Sequence, residues 1–114
     1  MKENEILPNI SVESHFVGKD AIFIVTGGLA HIGAVATAYF DEKGITVSCK
    51  QLPHHKEGEL ATQMAEKAAS KLQVNVTVIV GIHIDNATYE QIVQLVDIAQ
   101  REFDKEINIL TEKN

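Results

Sequence analysis

The run Ala21-Ile22-Phe23-Ile24-Val25, closed by Thr26-Gly27-Gly28, constrains this chain more than any other stretch. Five consecutive apolar residues, rich in branched and aromatic types, read as a buried strand. Two adjacent glycines at its end let the backbone turn with positive φ and approach another segment or a ligand closely. Leu29-Ala30-His31-Ile32-Gly33 follows, so a titratable ring and a third glycine share the same irregular corner.

Around this strand the sequence spells out a sheet with helices. In Ile10-Ser11-Val12-Glu13-Ser14-His15-Phe16 apolar and polar residues alternate, as in a strand with one wet face. Val17-Gly18-Lys19-Asp20 turns it back on the apolar run as a hairpin. Residues 34–40 are read as a third strand, since Asp41-Glu42-Lys43-Gly44 is a hairpin turn leading into Ile45-Thr46-Val47-Ser48-Cys49. In that register Ala34, Ala36 and Ala38 share a smooth face with Phe40, against which something can pack closely. A helix is expected over 57–72, where Leu60, Met64, Ala68 and Leu72 recur every four residues and Ala61 and Ala65 widen the stripe. Val74-Asn75-Val76-Thr77-Val78-Ile79-Val80 reads as a central strand. A second helix opens at Thr88 with a capping box to Gln91 and buries Ile92, Leu95, Val96, Ala99 and Phe103. Ile107-Asn108-Ile109-Leu110 is taken as a short edge strand, and Thr111 onward as a polar tail. The expected fold class is α+β in one domain over 1–114. Its order is ββββαβα, a four-strand meander leading into a mainly antiparallel sheet of five or six strands with two helices on one face.

Composition removes several function classes. The net charge of −6 lacks the basic footprint that nucleic-acid phosphates require, and four Phe, two Tyr and no Trp offer little for base stacking. One cysteine excludes an internal disulfide and fits a reducing cytoplasm; Cys49 is expected as a small half-buried strand residue. Met1 to Glu5 is charged and lacks a signal-peptide core, and no apolar run is long enough to span a bilayer.

Three histidine-bearing corners lie at element boundaries, which suggests one polar site. The first is Gly27-Gly28-x-x-His31-x-Gly33, either a plain tight turn or a corner whose N–H groups bind an anion beside His31. It is neither GxGxxG nor a Walker loop. The second is His54-His55-Lys56-Glu57, where His54 is expected to be solvated and His55, Lys56 and Glu57 to belong to the site. The third is Gly81-Ile82-His83-Ile84-Asp85, whose alternation points His83 and Asp85 to one face, a pairing suited to acid–base work or ligand binding. Asp85 and Asn86 also suit the entry to a helix. His31, His55, His83 and Asp85 are metal-ligand types, yet no HxH or HExxH spacing supports a metal, and none is assigned. His15 reads as plain surface, and no serine sits in a triad or nucleophile-elbow context.

Taken together, Gly27-Gly28-Leu29-Ala30-His31-Ile32-Gly33-Ala34-Val35-Ala36, His55-Lys56-Glu57 and Gly81-Ile82-His83-Ile84-Asp85-Asn86-Ala87-Thr88 resemble the small prenylated-flavin chaperone family, typified by the D subunit of bacterial gallate decarboxylase. The resemblance extends from about Phe16 to Phe103. It implies a fold related to proteasome assembly chaperones and a cytoplasmic accessory protein, more a chaperone than an enzyme. Such a protein would bind prenylated FMN or FMN and deliver it to, or help mature, an aromatic-acid decarboxylase. It further implies that Gly27, Gly28, His31, His55, Lys56 and His83 face the flavin phosphate or the partner, with Gly33, Glu57 and Asp85 completing the cofactor site. A homodimer is the default assembly. The alternatives are a small histidine-based hydrolase and a structural assembly chaperone that works through its alanine-rich sheet face.

Overall fold

A computed structural model describes residues 7–112. The reading of Met1 to Glu5, and the end of the tail beyond Glu112, lie outside the described residues. The elements run β1 (Ile10–Val17), β2 (Asp20–Gly28), β3 (Ala34–Asp41), β4 (Gly44–Gln51), α1 (Gly58–Leu72), β5 (Val76–His83) and α2 (Tyr89–Glu112). The class is α+β, with a mostly antiparallel five-stranded sheet and both helices on one face.

Both hairpins form, β1 with β2 and β3 with β4, the second through a two-residue turn that pairs Asp41 with Gly44. The strands do not form a meander, however. Their order is β1-β2-β5-β3-β4, so β5 lies between the hairpins, parallel to β2 and antiparallel to β3. The apolar character of 76–80 explains the insertion. A strand apolar on both sides and short of charge gains most from two neighbours, and α1 supplies the crossover that a parallel pairing requires.

The core lies between sheet and helices. Ala21, Phe23 and Val25 of β2, Ala34, Ala36 and Ala38 of β3, and Val76, Val78 and Val80 of β5 point into it. From above come Ala61, Met64, Ala65, Ala68 and Ala69 of α1 with Ala99, Phe103 and Ile107 of α2. The alanine face of β3 is therefore not an outer surface. Its three alanines are fully buried because α1 meets them with alanines of its own, small residues on both sides allowing close approach. Phe40, beyond the helix, is exposed.

The expected edge strand at 107–110 is the last part of α2 instead. Leu95, Ala99, Phe103, Ile107 and Leu110 recur at three and four residues and form one buried stripe. Over four residues the alternation of Ile107, Asn108 and Ile109 imitates a strand, and only the longer window separates the periods. Thr88 opens α2 with a reciprocal capping box: Thr88 N–H donates to Gln91 Oε1 at 2.9 Å, and Gln91 N–H to Thr88 Oγ1 at 3.0 Å. Cys49 is exposed rather than half-buried, since β4 is an edge strand; its thiol donates to the Gly58 carbonyl at 3.5 Å. Among the described residues no helix is long and apolar enough to cross a membrane.

Candidate functional site

Strand register gathers the three histidine corners. Gly28 ends β2 opposite His83 at the end of parallel β5, Ala34 begins β3 opposite Val80, and Gln51 ends β4 opposite Ala34. The segments that follow β2, β4 and β5 thus emerge at one end of the sheet. Segments more than fifty residues apart in the chain, such as those of His31 and His83, meet there because parallel strands place their C-terminal ends together, a common position for ligand sites.

Glu57 stands at the centre of the group. Its side chain is 13% exposed and its carboxylate accepts from two backbone N–H groups, Ile82 to Oε2 and Lys56 to Oε1, each at 3.1 Å. His31 Nε2 lies 3.1 Å from Oε2, and His55 Nδ1 lies 3.9 Å from Oε1. The His31 and His55 rings stack with centroids 4.4 Å apart at 28°. His83 meets His31 edge-on at 6.1 Å, and its Nε2 lies 2.9 Å from Asp85 Oδ1, so these two residues share a face as alternation requires. One donor atom from each of His31, His55 and Glu57 falls within 4.8 Å of the others, a set able to hold a metal ion.

The glycines make room for this arrangement. A Cβ on Gly33 would collide with the Glu57 carboxylate, and one on Gly81 with the His31 carbonyl. Gly28 has φ +66° and its α-hydrogen face abuts the His83 carbonyl. Gly27 is buried against Ile10. The N–H groups of Leu29 and Gly33 are engaged by the carbonyls of His83 and Val80 at 2.9 Å each, which fastens the corner to β5.

Beside the cluster opens a cavity of about 480 Å³. Its polar rim is His54, His55, Lys56, Glu57, His83 and Asn86, and its apolar wall is Leu60, Ile82, Ile84, Ala87, Ile92, Leu95 and Val96. Of the residues singled out in the sequence, His55, Lys56, Glu57 and His83 line it, while Gly27, Gly28, His31, Gly33 and Asp85 lie behind or beside it. His54, expected to be solvated, is exposed and also lines the rim, with φ +67°. The apolar wall was missed. Ile92, expected in the core, is 48% exposed and faces the cavity; its spacing of four from Val96, on the flank of the core stripe, is the signal that separates it. The N-termini of α1 and α2 both abut the cavity, and helix N-termini favour anionic groups.

A family model described as a prenylated flavin chaperone LpdD-like domain matches residues 5–111. The chain belongs to that family. No curated protein matches the sequence. Among solved structures, the fold is similar to that of a chain from the crystal structure of a novel chaperone complex for yeast 20S proteasome assembly. That likeness has a TM-score of 0.57 and 11% identity, covering 94% of this chain and 98% of the other; at such identity it is a likeness of fold.

Proposed function

We propose that the protein is an accessory chaperone that holds a prenylated flavin, prenylated FMN or FMN, in this cavity and passes it to an aromatic-acid decarboxylase or supports that enzyme's maturation. The observation that carries the reading is the cavity itself. Its volume falls within the roughly 300–1,000 Å³ of small-molecule sites. Its wall is aliphatic, suited to a ring system with a prenyl addition, and its rim bears Lys56, His54 and His55 for a phosphate. The negative charge of Glu57 is engaged by the Ile82 and Lys56 N–H groups. The flavin's redox and carbanion chemistry would be expressed on the enzyme; this chain's part is to bind, to orient and to keep the apolar portion from water. Leu29 and Ile32, exposed beside His31, offer an apolar contact to the receiving protein.

Absorbance and thermal-shift titrations with FMN and prenylated FMN test this. Binding to the folded state alone stabilises it by about 2.7 kcal/mol at a hundredfold excess over Kd. A perturbed flavin spectrum and a raised midpoint are expected, and both should weaken in Lys56→Ala and Ile92→Asp. Unchanged spectra and midpoints with both flavins would sink the cofactor role and leave docking on a partner protein. A hydrolase built on a serine, threonine or cysteine nucleophile is disfavoured, because the cavity lining holds no hydroxyl or thiol.

A further inference from the structure

His31 poses a question that flavin binding does not answer. Its Nδ1 lies 3.0 Å from the Leu29 carbonyl oxygen, an atom that can only accept, so Nδ1 carries a proton. In the neutral ring Nε2 then presents a lone pair. That atom is buried and has no hydrogen-bond partner, although Glu57 Oε2 stands 3.1 Å away. The approach is close in distance yet lacks hydrogen-bond alignment, and acceptor faces acceptor. A cation seated on the Nε2 lone-pair axis, with the carboxylate oxygen off that axis, satisfies both atoms.

We infer that His31, His55 and Glu57 form a binding site for a divalent first-row transition metal ion of the zinc class. Two imidazoles and a carboxylate are the donor chemistry of such ions. In a tetrahedral site with bonds of about 2.0–2.1 Å, neighbouring ligand atoms stand about 3.3–3.4 Å apart. The His31–Glu57 separation of 3.1 Å is close to that value. One donor atom each from His31, His55 and Glu57 lie within 4.8 Å of one another, and rotation of His55, whose side chain is 32% exposed, brings its nitrogen toward the Glu57 oxygen that faces His31. The surroundings also match: a backbone carbonyl fixes the tautomer of His31, and two backbone N–H groups hold the Glu57 carboxylate, the kind of support that orients metal ligands. Three protein ligands leave a coordination position open. His55 and Glu57 line the cavity, so that position faces it, within reach of water or an anionic oxygen.

The test uses the metal alone. The purified protein, dialysed against chelator, is titrated with Co²⁺ while visible absorption and bound metal per chain are recorded. One Co²⁺ per chain is expected, with tetrahedral d–d bands, displaced by Zn²⁺. Binding should fall at least tenfold in His55→Ala, vanish in His31→Ala and Glu57→Gln, and persist in His15→Ala, whose ring is exposed on β1. Circular dichroism checks that each variant is folded, and His55→Ala decides the matter should the two more buried substitutions fail to fold. Absence of stoichiometric Co²⁺, or binding that His55→Ala leaves unchanged, would overturn the site. Neither result depends on whether flavin binds.

Discussion

Glu57 is the residue on which the site turns. It accepts from Ile82 and Lys56, stands against two histidines, and occupies the space that the missing side chain of Gly33 leaves. Glu57→Ala is expected to cost about 1–3 kcal/mol, because a charge-assisted acceptor is lost and the half-buried Ile82 N–H is left without a partner; a urea denaturation midpoint measures it. Gly81→Ala should cost about 1–3 kcal/mol or more, since its Cβ would meet the His31 backbone, which cannot rotate away as a flexible side chain could. The same substitution should displace the His31 ring, visible as shifted imidazole resonances in NMR. That His31, His55, His83 and Glu57 meet was legible in the sequence, because titratable residues at neighbouring element boundaries are conspicuous. The role of Gly33 and Gly81 was not, because which atom fills the space beside a glycine depends on segments far away in the chain.

At the scale of elements, end signals and long periodicities were readable, and short windows misled. The Thr88–Gln91 capping box was legible because its spacing is a local chemical requirement, and Thr88→Ala is expected to lower stability by about 1 kcal/mol in thermal or urea unfolding. Phe103 was legible from its place on the helix stripe; it packs edge-on against Phe23 with centroids 5.0 Å apart, and Phe103→Ala should cost about 3–5 kcal/mol by the same assay. The β3–β4 turn carries a small pH effect. The Thr46 hydroxyl, and after it the Lys43 N–H, hydrogen-bond the Asp41 carboxylate and hold its pKa below the ordinary carboxylate range. A carboxylate so depressed in the folded state supports the hairpin at pH above its unfolded pKa, and that support is lost as pH falls through the folded value. Thr46→Val should therefore move the Asp41 carboxyl titration upward, as read by carbonyl-carbon NMR. The mistaken strand at 107–110 and the misassigned Ile92 share a cause: a residue's face is fixed by the whole length of its helix, and four residues do not define it.

For the whole molecule, both hairpins, the helical layer and the α+β class followed from local patterns, whereas the strand order did not. Nothing between residues 10 and 51 announces that β2 and β3 will be parted, since the separating strand arrives only after α1. A fragment ending at residue 73 is accordingly expected to show no cooperative thermal transition by circular dichroism, having two ribbons and nothing to join them. The same insertion bears on biosynthesis. While the chain leaves the ribosome, β2 and β3 each present an unpaired backbone edge for the time needed to add more than thirty further residues through β5. Sticky edges of this kind invite pairing with other chains. A protein whose family is named for chaperone work thus spends its own nascence with two inner strand edges waiting for a third strand.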